Sequence, residues 1–310
     1  MAEIVITEFM DDAALEDLRQ RYSLTYDPTL VDAPDRLQAE LVDAIALIVR
    51  NRTQVRSTLL DHAPHLRCVG RLGVGLDNID LDECRRRNIA VHPATGANDL
   101  SVAEYVMTAA LLLLRGAWFS TAAVATGTWP RQALIGRELA GRTMGLVGFG
   151  AIARDVAWRA EAMGMQVVAY DPHLPVDNPA WRRARSVSLE DLLGIADVVS
   201  LHVPLTPATK RMIGESEIAR MKSRAILINA ARGGVVDEQA LADGLKAGQL
   251  GGAALDVFEI EPLTAEAGEK FIGIPNLVLT PHIAGVTDES NVRVSSVVAE
   301  KVLNELENAR

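Results

Sequence analysis

Three groups along this chain could do chemistry together. His282 follows Pro281 behind the apolar run Leu277–Leu279. Arg232 follows the run Ala225–Asn229 and precedes Gly233 and Gly234. Glu259 and Glu261 follow the run Ala253–Asp256. A histidine with a carboxylate on one ring nitrogen can take and return a proton at the other. A guanidinium can pin a substrate carboxylate by a charge-assisted, bidentate contact and polarise the neighbouring oxygen. Alone, such a histidine more often caps a loop and such an arginine more often ends in a surface ion pair. Their common place behind apolar runs favours the chemical reading. Either Glu259 or Glu261 could be the partner of His282. The other five histidines read as structural, with His202 at the end of its own run near the cofactor.

A fourth group concerns a cofactor. Gly148-Phe-Gly150-Ala-Ile-Ala153 follows the run Met144–Val147 and opens a helical pattern in which Ile152, Val156, Ala160 and Met163 share a face. Gly164 ends that helix, and the run Gln166–Tyr170 closes on Asp171. This is the strand–turn–helix–strand setting of a dinucleotide fingerprint. Gly148 permits the tight turn, Gly150 lets backbone approach a pyrophosphate, and Ala153 takes the small-residue position of helix–strand packing. The N–H groups of Ala151 and Ile152 would face the phosphates. Asp171, 21 residues beyond Gly150, suits the ribose hydroxyls of NAD and would repel a 2′-phosphate. Arg182, Arg183 and Arg185 weigh somewhat the other way.

These groups need a scaffold, and the remaining pattern supplies one. Strand candidates in the first third are Ile4–Thr7, Ala46–Val49, Leu66–Val69 and Ile89–Val91, with helices such as Asp12–Arg19 and Leu81–Arg87 between them. The rhythm restarts near residue 143, adding Val198–His202 to the runs already named. Apolar runs alternating with helices imply parallel sheets built from βαβ crossovers. Ligands of such sheets bind at the carboxyl ends of the strands, where every group above falls. Asp99 or Ser101 could cap the apolar helix Val102–Arg115, and Ser290–Asn308 reads as a last helix that could return to the first unit.

Composition narrows the class. The chain has 310 residues and a formal net charge of -10, opposite to the basic excess of a nucleic-acid binder. Cys68 and Cys84 form no metal-ligand spacing and no disulfide framework, which fits a reducing, cytoplasmic setting. No secretory signal is visible, and Val102–Leu114, interrupted by Glu104, is too short and polar for a membrane span. Neither a metal, nor nucleic acid, nor a membrane is expected.

Together the motifs resemble the D-isomer-specific 2-hydroxyacid dehydrogenases, the phosphoglycerate dehydrogenase branch in particular. The resemblance rests on Gly148-Phe-Gly150, Asn229–Glu238, Asp256-Val-Phe-Glu-Ile-Glu261-Pro262 and Pro281-His282-Ile-Ala-Gly285. In the first unit it rests on Val49-Arg50-Asn-Arg-Thr53 and Val69–Asp80. It implies two doubly wound α/β domains, an NAD-binding Rossmann domain (99–286) inserted into a discontinuous flavodoxin-like substrate domain (1–98 and 287–310). It selects Glu261 as the partner of His282. It assigns Pro204, Thr206, Ala230, Ala231, Arg232, Asp256, His282, Ala284 and Gly285 to the cofactor, Asp256 toward the nicotinamide carboxamide. It has Val74 and Gly75 donate N–H groups to the substrate carboxylate. It implies a homodimer in which Val102–Leu114 and the Trp129 segment reach the partner.

A plain lactate-like acid carries one carboxylate, which Arg232 and the glycine loop already serve. Arg50, Arg52 and Arg71 would then be surplus, unless the substrate carries a second anion at C3, as 3-phosphoglycerate or 3-sulfolactate does. For Arg52 a solvated surface role competes evenly. Two other classes remain open: an NAD-binding regulator of the corepressor type, disfavoured by the lack of long tails, and a formate dehydrogenase. In the latter the histidine's partner resembles glutamine, so Glu261 argues for a hydroxyl substrate. A simple hydroxy acid such as glycerate or lactate is the weaker substrate alternative.

Overall fold

The computed structural model describes residues 2–308. Their contacts resolve into two compact units, Met1–Asn98 with Val286–Arg310, and Asp99–Gly285. Both are parallel α/β sheets.

In the first unit the strands are β1 (Ile4–Ile6), β2 (Leu24–Tyr26), β3 (Ala46–Val49), β4 (Cys68–Arg71) and β5 (Ala90–Pro93), in the order β2-β1-β3-β4-β5. That is the flavodoxin-like doubly wound order. The first, third and fourth strands are almost wholly buried, as strands covered on both faces must be. β4 begins two residues later than its apolar run suggests and continues through Gly70. The glycine that reads as a strand breaker marks a close approach of the last helix. A Cβ there would lie 2.7 Å from Val298 Cγ1 and 2.9 Å from Val302 Cγ2. That helix, Asp288–Asn308, buries Val294, Val298, Val302 and Leu306 in the core of this unit, completing it from the far end of the chain.

The second unit carries β6 (Thr143–Val147), β7 (Gln166–Tyr170), β8 (Arg185–Ser186), β9 (Val198–Leu201), β10 (Ile226–Asn229), β11 (Gly252–Leu255) and β12 (Leu277–Leu279). Their order, β12-β11-β10-β9-β6-β7-β8, is the Rossmann order with one strand added. The chain reverses direction across the sheet between β6 and β9, which pair Met144 with Val198. β2 and β8 have no counterpart among the sequence-based strands. They are edge strands of three and two residues, Leu24-Thr25-Tyr26 and Arg185-Ser186, with no run of aliphatic residues to read.

Two helices depart from expectation. The helix expected to follow an Asp99 or Ser101 cap already begins at Asp99, so both residues lie inside its first turn. It runs to Arg115 and buries Ala103, Val106, Met107, Ala110, Leu113 and Leu114 within its own unit. The helix after the glycine turn, Ala151–Ala162, buries Ala153, Val156, Ala157 and Ala160. Ile152 is only partly covered and Met163 is 42% exposed. The buried face is rotated because it is the small side chains that pack into the core shared with Ala103, Val106 and Ala110.

Candidate active site

The glycine turn fits its expected use. Gly148 has φ +86°, and a Cβ there would lie 2.6 Å from the His202 carbonyl oxygen. Only glycine satisfies both demands. Beyond it, a Cβ on Gly150 would meet nothing within 4 Å. Open space therefore faces the first turn of the helix Ala151–Ala162, whose N-cap makes no side-chain bond. Asp171 stands at the end of β7 with Oδ2 accepting the Phe149 N–H (2.9 Å) and Oδ1 accepting the His173 N–H (2.9 Å). Each oxygen keeps a lone pair for a ribose hydroxyl. Pro204 and Thr206 lie in an exposed loop closed by Thr209, whose hydroxyl donates to the Pro204 carbonyl (2.6 Å). An open cradle of backbone and one carboxylate thus suits a dinucleotide with a free 2′-hydroxyl.

Three strand ends along, β10 delivers Arg232. Asn229, only 1% exposed, donates its amide to the Arg232 carbonyl (2.9 Å) and accepts the Ala231 N–H (3.1 Å). This side chain closes the loop Ala230–Arg232 and was not singled out from sequence, although a buried amide ending an apolar strand is a readable sign of a pinned loop. The two glycines after Arg232 do not serve to leave the strand end open. A Cβ on Gly233 would overlap the Phe258 carbonyl oxygen. That glycine brings the Arg232 loop against the segment carrying Glu261.

Glu261 and His282 meet. His282 Nδ1 lies 2.7 Å from Glu261 Oε2, and Glu261 Oε1 accepts the Phe258 N–H (2.9 Å). Burial alone would raise the Glu261 carboxyl. The bond to His282, the Phe258 N–H and the charges of His282 and Arg232 outweigh it and hold the group below its ordinary value. With Nδ1 engaged, Nε2 is left to face a substrate, and the two side chains keep 40% and 34% exposure. Glu259 is the partner of Arg211 instead, and its N–H donates to buried Glu238.

His202, at the end of β9, contacts Ser200 Oγ through Nε2 (3.0 Å), and burial pushes its imidazole down to about 4. Asp256 departs from expectation. It is 1% exposed; Oδ1 accepts the Ile283 N–H and the Thr280 hydroxyl, and Oδ2 accepts the Ala284 N–H. Its acceptors are turned onto the His282 segment, leaving no open carboxylate surface for a nicotinamide carboxamide. Ala284, likewise expected at the cofactor, is 5% exposed and spends its N–H on Asp256.

In the first unit, Arg50 and Arg52 sit in a loop after β3 whose backbone is held by Glu8. That carboxylate, 6% exposed, accepts N–H groups from Arg50 (2.9 Å), Thr53 (3.0 Å) and Arg52 (3.1 Å). The Arg50 guanidinium donates to Asn291 (2.6 Å) and lies 5.9 Å from the Phe9 ring. Arg52 is paired with Asp32 on the surface. Arg71 donates to the Leu72 carbonyl (3.1 Å). None of the three is surplus in the sense the sequence suggested, since each already has a protein partner; Arg52 takes the surface role. Val74 and Gly75 are half-buried, and among the described residues their N–H groups meet no protein acceptor.

The profile of the D-isomer specific 2-hydroxyacid dehydrogenase NAD-binding domain matches residues 107–284. The chain is 55% identical over 303 residues to an (S)-sulfolactate dehydrogenase of Chromohalobacter salexigens, covering 97% of each chain. The chain belongs to the D-isomer specific 2-hydroxyacid dehydrogenase family. It is also 36% identical over 303 residues to a D-3-phosphoglycerate dehydrogenase of Methanocaldococcus jannaschii, covering 97% of this chain but 57% of that longer one. Among solved structures, a D-lactate dehydrogenase of Aquifex aeolicus, complexed with NAD and lactic acid, superimposes with a TM-score of 0.86 at 30% identity, covering 98% of this chain and 95% of that one. The protein is an NAD-dependent oxidoreductase of 2-hydroxy acids. Among its described residues no single helix is long and apolar enough to cross a membrane.

Proposed function

We propose that the chain interconverts a 2-hydroxy acid and its 2-oxo acid, with a second anion at C3 as in 3-sulfolactate or 3-phosphoglycerate. The observation that carries the catalytic part is the 2.7 Å contact of His282 Nδ1 with Glu261. Bound NAD supplies the hydride acceptor, at the turn Gly148–Ile152 with Asp171 on the ribose. In oxidation His282 Nε2 takes the hydroxyl proton, and Glu261 holds the tautomer and stabilises the imidazolium. In reduction the same proton returns to the carbonyl oxygen. Arg232 holds the substrate carboxylate and polarises the C2 oxygen. Pro204, Thr206, Ala230, Ala231 and Gly285 complete the cofactor side of this assignment.

The second anion is supported by the 55% likeness to a sulfolactate dehydrogenase and by Arg50, just after β3, and Arg71, at the end of β4. A substrate anion there exchanges places with Asn291 on Arg50 rather than filling an empty cation. A charge-assisted contact contributes on the order of 1.5–3 kcal/mol, so loss of the second anion lowers kcat/KM at least about tenfold. Comparing kcat/KM for 3-sulfolactate, 3-phosphoglycerate and lactate tests this. Lactate equal to or better than both dianions overturns it.

We further assign a homodimer built on the second unit. Trp118, Phe119, Trp129 and Ile135 are exposed at 50–77% in the stretch 117–136. A shallow groove of about 370 Å³ beside the helix Asp99–Arg115 is lined by Met107, Leu111, Trp158 and Met163 together with Glu104, Thr108 and Arg159. Large apolar side chains exposed close together in sequence favour a partner surface. The two cysteines, both free and buried, accord with a reducing, cytoplasmic setting.

A further inference from the structure

The residue that moves the proton in the proposed reaction stands on backbone that needs holding. His282 has φ +54°, the left-handed region where a residue other than glycine is strained. It lies beyond the end of β12, so no ladder of strand hydrogen bonds fixes it. What fixes it is Asp256. The Asp256 carbonyl accepts the His282 N–H (2.8 Å). Its carboxylate accepts the N–H groups of the next two residues, Ile283 and Ala284, both at 2.8 Å. Three consecutive amides of the histidine segment therefore converge on one residue.

The carboxylate is oriented in turn. Its Oδ1 lies 2.6 Å from Thr280 Oγ1, and Thr280 Oγ1 lies 2.6 Å from the Tyr105 hydroxyl. A threonine hydroxyl has one proton to give. Since the carboxylate only accepts, Thr280 donates to Asp256 and must accept from Tyr105. The direction of the chain is thereby set: Tyr105 to Thr280, Thr280 to Asp256, with Asp256 gathering the amides around His282. Tyr105 belongs to the helix Asp99–Arg115, packed in the core, so the chain anchors a flexible loop end on a rigid element.

We propose that Tyr105 and Thr280 are positioning residues for His282, acting through the Asp256 carboxylate to keep the imidazole against Glu261. This rests on the reading of His282 as the acid/base. Neither hydroxyl touches the reacting atoms, and both could be replaced by isosteres that pack alike. If they position, their loss frees the Asp256 carboxylate to rotate. The Ile283 and Ala284 amides then lose registry, and the His282–Glu261 contact lengthens. An imidazolium less well paired with Glu261 gives up its proton at lower pH.

The test uses the full-length enzyme with NADH and hydroxypyruvate or 3-sulfopyruvate, whichever turns over. Thr280→Val should lower kcat roughly tenfold, the scale of a small misplacement of a catalytic group. It should also move the basic limb of the kcat–pH profile for reduction to lower pH. NADH affinity, read by energy transfer from tryptophan, should stay as in the unaltered enzyme and show that the variant is folded. Thr280→Ser keeps the hydroxyl and should restore both kcat and profile. Tyr105→Phe should change both in the same direction by a smaller factor, and it decides the matter alone if Thr280→Val does not fold. An unmoved pH profile in Thr280→Val and Tyr105→Phe, or a serine variant as impaired as the valine one, overturns the proposal. A parallel His282→Ala variant separates this from the underlying reading. If it retains turnover, the acid/base assignment fails; if it is inactive while the hydroxyl variants are normal, only the positioning role fails.

Discussion

His282 and Glu261 form a hydrogen-bonded pair that helps hold the Glu261 carboxyl below its ordinary value, and their replacement should report it. His282→Ala should lower turnover by roughly 10²–10⁴ while NADH titration shows cofactor binding retained; near-normal turnover would remove His282 from the reaction. Glu261→Gln keeps the shape but removes the charge, so the basic limb of the reduction profile should move to lower pH. Asp171→Ala should weaken NAD and relax discrimination against NADP, because a carboxylate placed for the ribose would repel a 2′-phosphate. Equal kcat/KM for the two cofactors in the unaltered enzyme would contradict that. At this scale the sequence was legible in placement: Arg232, Asp171 and the glycine turn stand just beyond strand ends, where the apolar runs put them. It was not legible where the role depends on which way a side chain turns. Asp256 reads as a residue facing the cofactor and instead gathers the backbone of its neighbour strand's loop.

Among the elements, the buried strands could be read to within one or two residues because they are continuous apolar runs. The edge strands β2 and β8 could not, since Leu24-Thr25-Tyr26 and Arg185-Ser186 hold no run of aliphatic residues, as the edge strands β5 and β12 do. Gly70 shows a subtler limit, for only the helix lying over it explains a glycine inside β4. Two loops make testable elements. Glu8 is the acceptor for three N–H groups of the loop after β3. A buried donor left unsatisfied costs about 1–3 kcal/mol, so Glu8→Ala should lower stability to urea by at least about 2 kcal/mol, with Glu8→Gln intermediate. A midpoint unchanged by Glu8→Ala would show that the loop holds itself. The end of β9 is acid-sensitive. The folded protein keeps the His202 ring neutral down to about pH 4, whereas an unfolded chain protonates it near 6.5. As pH falls from 6.5 to 4 the unfolded state binds the proton first, so stability is lost over that interval and fully present above it. A non-titrating His202→Gln variant should show a smaller drop in Tm from pH 6.5 to 4 than the unaltered protein; equal drops would locate the acid sensitivity elsewhere.

Taken whole, the molecule is acidic, with a formal net charge of -10, and its ligands are anions. Its long-range field opposes their approach, so added salt, which screens that field, should raise kcat/KM for a dianion more than for lactate. A fall in kcat/KM with salt would mean that local cations govern encounter instead. Light scattering at micromolar concentration should give twice the 33.4 kDa of one chain, and 33.4 kDa itself would leave the exposed tryptophans without a dimer.

The division of the chain has a consequence for its manufacture. The unit that begins at the N-terminus draws Val294, Val298, Val302 and Leu306 into its core from a helix made last. Domains emerging from a ribosome ordinarily mature in the order of their synthesis. Here the first segment to emerge must wait, its β4 glycine exposed where the helix will lie, while the whole of Asp99–Gly285 is made and can close on itself. The first unit is the last to be finished. A nascent chain arrested before residue 288 should therefore carry a protease-resistant middle and a protease-sensitive beginning. The helix Asp288–Asn308 is the piece that completes the core of the first unit.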